Sequence, residues 1–232
     1  ATWITVCRLV VLASGSVSAP MLFGPLSEPR FAPPLNALLS IGTSGIVAFI
    51  FYYVVNVGLE RQRANMVRLG AARTYKDAKR NIALAIIHAS QKGGRNDLSA
   101  DTETINLILT TNGFKTTFEG GREADEGYYA FENQMSERTP EFDEIIFNLN
   151  SMARAFSRLT DSVHVADQNT YDFFVRLDGI VRRIERNGAG YDESKHLCSF
   201  IWEIFTGWNF VTGDYGGDPI EKALEKLKAP KI

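Results

Sequence analysis

The most pronounced hydrophobic pattern in the chain is an uncharged run near its N-terminus. No charged residue occurs from Phe31 to Leu59. The stretch Leu35–Leu59 is 25 residues long, and about 20 residues are enough for a helix to cross the hydrocarbon core of a bilayer. From Gly45 to Val55 the stretch is apolar on every helical face, whereas a helix in water has a polar face. The pattern predicts a transmembrane helix over about 35–59; the alternative is a helix buried in a protein core.

A second apolar stretch precedes this run and contains more polar positions. Trp3 to Phe23 is largely apolar, but Arg8 and several serines and glycines interrupt it. We predict a second transmembrane helix over about 3–24, followed by a short turn at the proline-rich link Pro25–Pro34, because proline stops helices. Residues 1–59 are therefore predicted to form a transmembrane hairpin. A cleaved signal peptide and a re-entrant segment are the alternatives for residues 2–26.

Both apolar stretches carry small residues at helical spacing. In a bilayer no hydrophobic force draws two helices together, so small side chains favour close packing of their backbones. We predict that these positions hold the hairpin together or contact a neighbouring subunit. The predicted packing residues are Ser14, Gly15, Ser18, Ala19, Ser40, Ile41, Ser44, Gly45 and Ala48.

Basic residues are concentrated just behind the predicted span. Residues 60–80 contain seven basic and two acidic side chains, a local charge of +5. An excess of Lys and Arg at the end of a membrane helix marks the cytoplasmic side, and such cations also attract anionic headgroups. We therefore predict a protein of the cell inner (plasma) membrane with both termini in the cytoplasm. The predicted lipid headgroup contacts are Arg61, Arg63, Arg68 and Arg73.

The remainder of the chain shows helical rather than strand periodicity. Residues 60–92 predict a basic juxtamembrane helix that ends at Gly93-Gly94, and residues 93–232 predict a cytoplasmic helical domain. Ser99 is the predicted N-cap of the first helix of that domain, and Asp218 is the predicted N-cap of the last. The predicted helices between them cover 99–113, 142–159, 170–186 and 197–208. The expected fold class is all-α, with an N-terminal transmembrane helical hairpin.

The charge of the predicted domain limits its partners. Residues 81–232 contain 16 basic and 24 acidic side chains, a local charge of −8. Phosphate neutralisation needs clustered Lys and Arg, so direct sequence-specific binding of nucleic acid is not expected. The two cysteines, Cys7 and Cys198, lie in apolar stretches and are predicted to be buried free thiols. The expected partners are the lipid bilayer and either another protein or further copies of this chain.

Motifs for metal or cofactor chemistry are missing from the sequence. No Cys-x-x-Cys, His-Glu-x-x-His or Gly-x-x-x-x-Gly-Lys spacing occurs, so no metal and no cofactor are expected. One catalytic candidate is Arg158 followed by His164, a spacing that resembles the signature of the HEPN ribonucleases. In that family paired Arg and His residues act on RNA, with His moving a proton and Arg steadying phosphate charge. The simpler interpretation is a solvated Arg158 and a loop His164.

Aromatic residues cluster near the C-terminus. Trp202, Trp208 and Phe210 are close together in the sequence, and they are the predicted docking residues for a protein partner, because aromatic side chains anchor interfaces. Packing in the domain core is the alternative for the same residues. Of the two interpretations, core packing is the default for an aromatic cluster.

Two resemblances extend this picture. Phe147–Met152, Asp167 and Asp172–Asp178 are similar to stretches of uncharacterised bacterial proteins with N-terminal membrane helices and a small helical domain. The layout as a whole resembles the two-span membrane effectors of retron-type and related prokaryotic phage-defence systems. That resemblance implies a non-enzymatic effector, or membrane subunit of a defence complex, that impairs the inner membrane when released from a partner. A membrane-tethered HEPN-like ribonuclease and a passive membrane scaffold are the alternatives.

Overall fold

Helices account for nearly all the regular structure in a computed structural model that describes residues 32–119, 138–162, 168–186, 188–209 and 212–227. The all-α prediction is confirmed for these residues. A two-stranded antiparallel hairpin, with β1 at Trp208–Asn209 and β2 at Asp214–Tyr215, interrupts them. The helices are α1 Ala32–Tyr52, α2 Gly58–Lys92, α3 Thr102–Ile108, α4 Thr111–Phe118, α5 Pro140–Ser162, α6 Gln168–Arg186, α7 Tyr191–Thr206 and α8 Pro219–Lys226, with a π-helical turn Tyr53–Val57 between α1 and α2.

The chain divides into two compact units, residues 1–59 and residues 60–232. The described part of the first unit is α1 with the π-helical turn. Every described side chain from Ser40 to Tyr53 is exposed, including Ile41 at 72% and Phe49 at 69%. Among the described residues no helix is both long enough and apolar enough to cross a membrane. The predicted first span, over about 3–24, lies outside the described residues.

The second unit is built around α2. Ala71, Tyr75, Ala78, Ile82 and Ile86 follow one another at spacings of three and four residues, and all are nearly inaccessible to solvent. We call this side the inner face of α2. The predicted stop at Gly93-Gly94 is confirmed, since α2 ends at Lys92 and Gly94 has a positive φ of 98°.

The other helices close the core. Helix α5 packs extensively on α6, α4 packs on α7, and α8 contacts both α6 and α7. The ring of Phe114 lies at the centre of the α4–α7 contact, with its centroid 4.5 Å from that of Phe205 and 5.8 Å from that of Trp202. Phe156 on α5 makes aromatic contacts with two other helices. Its ring centroid lies 5.1 Å from that of Phe174 on α6 and 6.2 Å from that of Tyr75 on α2.

The helix predicted over 99–113 is two short helices instead of one. Asp101, not Ser99, caps α3 by accepting a hydrogen bond from the Thr104 backbone N–H at 2.8 Å. Thr110 caps α4 in the same way through the N–H of Gly113 at 3.1 Å. Gly113 therefore lies inside α4 rather than ending a helix. A Cβ at this position would lie 2.0 Å from the carbonyl oxygen of Leu107, so the turn between α3 and α4 needs glycine there.

The predicted helices over 142–159 and 170–186 correspond to α5 and α6. The helix predicted over 197–208 begins earlier, at Tyr191, because Gly190 serves as its N-cap and Asp192 and Glu193 favour its first turn. It ends at Gly207, whose φ of 70° suits glycine, and a Cβ there would lie 2.5 Å from the backbone of Gly217. The predicted N-cap role of Asp218 is confirmed.

Candidate functional site

The described half of the predicted membrane-packing set lies on α1. Ser40, Ile41, Ser44, Gly45 and Ala48 are all exposed, and a Cβ built on Gly45 meets nothing within 4 Å. The described members of this set of small residues are therefore accessible to solvent. The other predicted members, Ser14, Gly15, Ser18 and Ala19, lie outside the described residues, so the packing of the hairpin remains a prediction.

The predicted headgroup cations lie on the first half of α2. Arg61, Arg63 and Arg73 are exposed. None of the three makes an ion pair with a described residue at 4.0 Å or less. Arg68 differs from them, because it is half-buried and its Nη2 donates a hydrogen bond to Asn65 Oδ1 at 3.0 Å. Three of the four predicted cations are thus available to an external anion.

A buried ionic cluster joins α2 to the N-terminus of α8. Lys79 Nζ lies 2.7 Å from Asp218 Oδ2 and 3.2 Å from the carbonyl oxygen of Ile204. The Tyr75 hydroxyl donates a hydrogen bond to the same carboxylate oxygen. Asp218 Oδ1 accepts from the backbone N–H groups of Ile220 at 2.9 Å and Glu221 at 3.1 Å. Lys79 and Asp218 are each 7% exposed, so the cluster is enclosed by the domain.

Complete pairing indicates a structural role for this cluster. Both carboxylate oxygens of Asp218 are occupied, and burial together with the neighbouring Asp218 charge raises the pKa of Tyr75 well above its usual value. A protonated Tyr75 hydroxyl is what the hydrogen bond to Asp218 requires. The ammonium group of Lys79 also lies 5.2 Å from the ring centroid of Phe205, which adds a cation–π contact. No oxygen of the carboxylate is left to bind a substrate.

A cleft of about 320 Å³ lies beside the hairpin, between α6, the end of α7 and α8. Glu203 and Trp208 line it, together with Lys222 and Lys226. Burial raises the pKa of Glu203, and its carboxylate has no ion-pair partner in the described part of the chain. Lys222 is occupied locally, since its Nζ donates to the carbonyl oxygen of Gly216. The cleft thus presents both signs of charge, which selects no single class of ligand.

A shallower groove of about 290 Å³ lies between α2 and the start of α5. His88, Glu141 and Glu144 line it. The hydrogen bond from Lys92 Nζ to Glu141 Oε1, at 2.5 Å, lowers the pKa of that carboxyl group. Glu141 Oε2 is buried without a hydrogen-bond partner. No group of three or more His, Cys, Asp or Glu side chains arranged to hold a metal ion occurs in the described ranges.

The candidate ribonuclease pair is not assembled within the described residues. Arg158 is exposed on α5, and His164 lies outside the described part of the chain. The other two histidines, His88 and His196, are exposed on α2 and α7. The pairing of Arg158 with His164 therefore stays a prediction.

The structure corrects the docking assignment of Trp202. Its side chain is 4% exposed and contacts the ring of Phe114, so it packs in the core, as the alternative interpretation held. Trp208 is half-buried, with its ring centroid 4.8 Å from that of Tyr215 in the hairpin. Phe210 lies outside the described residues. Cys198 is buried, as predicted.

Sequence reasoning missed the buried cluster. The available signal was the pair Tyr75 and Lys79, which interrupts the apolar inner face of α2 at a spacing of four residues. A polar pair on an otherwise apolar face indicates a buried partner. Nothing in the sequence identified Asp218 as that partner, because it lies 139 residues from Lys79.

No protein family, curated protein or solved structure is detectably similar to this chain. The function therefore has to be argued from the physical properties of its surfaces.

Proposed function

We propose that this chain is a membrane-anchored, non-enzymatic helical protein, held in the inner membrane by a hairpin formed from residues 1–59. The observation that carries the proposal is the environment of α1. Its described side chains are exposed on every side, including Ile46 at 62% and Phe51 at 67%. Soluble proteins rarely expose a contiguous apolar surface of this kind. A bilayer is the solvent in which such a helix is stable.

The sequence around α1 supports the same assignment. The uncharged run extends from Phe31 to Leu59 and ends where seven basic residues begin within 60–80. That order fits a span followed by a cytoplasmic basic segment. The domain of residues 60–232 then faces the cytoplasm in this proposal, with both termini on that side.

Within this class, we propose a membrane-acting effector, or the membrane subunit of a prokaryotic defence complex. Its action is to impair the inner membrane when a restraining protein partner is lost. The layout of two apolar stretches followed by an acidic helical domain supports this proposal. A passive membrane scaffold is the competing function.

A membrane-potential measurement separates an effector from a scaffold. The full chain is induced in bacterial cells and the potential is followed with a voltage-sensitive dye. The effector proposal predicts depolarisation that begins as the protein accumulates. The matched control carries Ile46→Arg and Phe49→Arg, two substitutions on the exposed surface of α1, and is expressed to the same level. Depolarisation that is absent in the parent chain, or equal in both proteins, contradicts the effector proposal.

A further inference from the structure

The side of α2 opposite its inner face carries a patterned surface of its own. Its residues are spaced three and four apart, so they lie on one side of the helix, and all are exposed, Met66 at 62% and Leu69 at 51%. Two apolar side chains come first and three basic side chains follow. We call this set the outward stripe: Met66, Leu69, Arg73, Lys76 and Arg80.

The three cations of the outward stripe have no partner within the described part of the chain. Arg73, Lys76 and Arg80 take part in no hydrogen bond or ion pair there, although Asp77 lies beside them in the sequence. Lys79 provides the contrast. It neighbours Arg80 in the sequence but points to the inner face, where it pairs with Asp218 at 2.7 Å. The outward cations therefore form no polar contact that stabilises the described part of the domain.

We propose that the outward stripe of α2 lies on an anionic bilayer surface. Met66 and Leu69 enter the boundary between headgroups and acyl chains, while Arg73, Lys76 and Arg80 contact lipid phosphates. Apolar side chains are stabilised at that boundary, and basic side chains near the surface are attracted to anionic headgroups. The inference rests on the proposed membrane anchoring and adds to it a second, peripheral contact.

Charge and position favour lipid over a second copy of this chain. Parallel pairing of two outward stripes would set three cations against three, which is repulsive. Anionic headgroups instead complement them. Met66 is seven residues beyond Leu59, the last residue of the uncharged run, which is about 10 Å of helix. Only the beginning of the stripe, at Met66, is therefore close along the chain to the uncharged run.

The structure also selects which cations take part. Arg68 is half-buried and bonded to Asn65, so it is not assigned to the surface contact. Lys76 and Arg80 belong to the basic block behind the uncharged run, and both are exposed on the outward side. The helical face, rather than proximity to the span, decides the set.

Spin labels on the full chain test this proposal. Cys7 and Cys198 are replaced by alanine, and a nitroxide is attached at Leu69→Cys in protein reconstituted into phosphatidylcholine vesicles with or without phosphatidylglycerol. Accessibility is measured to oxygen, which concentrates in lipid, and to a nickel chelate, which stays in water. We expect the label to become accessible to oxygen and protected from nickel in the anionic vesicles.

Two charge variants are compared in the same vesicles. Arg73→Gln, Lys76→Gln and Arg80→Gln together are expected to lower the docked-to-undocked ratio about fivefold for each cation, about a hundredfold for the three. The matched control is Arg154→Gln, Arg176→Gln and Arg183→Gln, which removes three exposed cations from α5 and α6. It is expected to leave the ratio unchanged.

The outcomes separate this inference from the proposed function. A second label at Ile46→Cys reports on the anchor itself. If the Ile46 label is in lipid while the Leu69 label stays open to nickel, the anchor stands and the surface contact is overturned. A Leu69 label closed to both reagents means that protein covers the stripe, which also overturns it. If the Ile46 label is open to nickel, the anchor proposal fails.

Discussion

Helices α1 and α5 have similar lengths, 21 and 23 residues, but opposite relations to their own chain. Helix α5 buries eight residues at helical spacing, among them Phe142, Leu149 and Phe156, and all its charged residues except Glu141 are exposed. Helix α1 has no charged residue, and every side chain described from Ser40 onward is exposed. Packing within the chain thus explains why α5 is stable in water. No comparable burial accounts for α1 among the described residues.

Arginine substitutions in α1 should have a greater effect than any other change, because they test the apolar environment of this helix. Ile46→Arg and Phe49→Arg together are expected to cost about 6 kcal/mol of membrane insertion, because each central Arg costs about 3 kcal/mol. The protein should disappear from alkali-washed membranes. Phe147→Arg and Val175→Arg, at positions 65% and 50% exposed in the domain, serve as the control. Equal retention of both variants would place α1 outside the bilayer.

Replacing phenylalanine by alanine compares buried and exposed positions on the two helices. Phe156 is 1% exposed between Tyr75 and Phe174, so Phe156→Ala is expected to lower the unfolding free energy by about 3 to 5 kcal/mol. Phe147→Ala on the same helix and Phe49→Ala on α1 should each cost under about 0.5 kcal/mol. The measurement is denaturant unfolding of the full chain in detergent. A similar loss for all three variants would mean that burial does not distinguish the two helices.

The buried cluster allows a comparison between two cations of α2: Lys79, which pairs with Asp218, and Arg80, which has no partner among the described residues. Asp218→Ala leaves Lys79 buried without its counter-charge and removes the cap of α8, so it should cost about 3 to 5 kcal/mol. Arg80→Ala, on the outward side of the same helix, should change stability by under about 0.5 kcal/mol. Thermal unfolding of both variants checks this. Stability unchanged by Asp218→Ala would show that the cluster is not the structural junction described above.

At alkaline pH, Tyr75 is expected to make a small contribution to the change in unfolding free energy. Its pKa is raised in the folded protein above the usual value of 10.0, so the folded state holds the phenolic proton more tightly than the unfolded chain. This contribution is fully present below about pH 10 and is lost as the pH rises through the folded pKa. Unfolding free energies from pH 8 to 11 should fall less steeply for Tyr75→Phe than for the parent. Identical slopes would contradict the assigned environment.

Helix positions were predictable where apolar spacing is regular. Helices α5 and α6 follow the three-and-four pattern over four or more turns, so their extents were predicted closely. The division of 99–113 into α3 and α4 was not predicted, because it depends on the cap at Thr110 and on the contact between Gly113 and the Leu107 carbonyl. The short hairpin at Trp208–Tyr215 was missed too, since two-residue strands carry no usable alternation.

A group of functional residues could be predicted from the sequence only where all its members lie on the same helix. The cations of α2 are visible in the sequence, but which of them face outward is decided by the core that packs on the other side. The partnership of Tyr75, Lys79 and Asp218 needs the tertiary fold, because seven described helices and strands separate α2 from α8 along the chain. Trp202 was predicted to lie on a docking surface but is buried, because an aromatic side chain suits either a core or an interface and the sequence alone does not distinguish them.

Membrane fractionation of the unmodified chain shows whether lipid is the solvent of α1. Membranes from cells that express the full chain are washed with alkaline carbonate, sedimented at high speed, and then extracted with detergent. We expect the protein to stay in the washed pellet and to enter the supernatant only with detergent. Recovery of the protein in the detergent-free supernatant would show that α1 is not embedded in the bilayer.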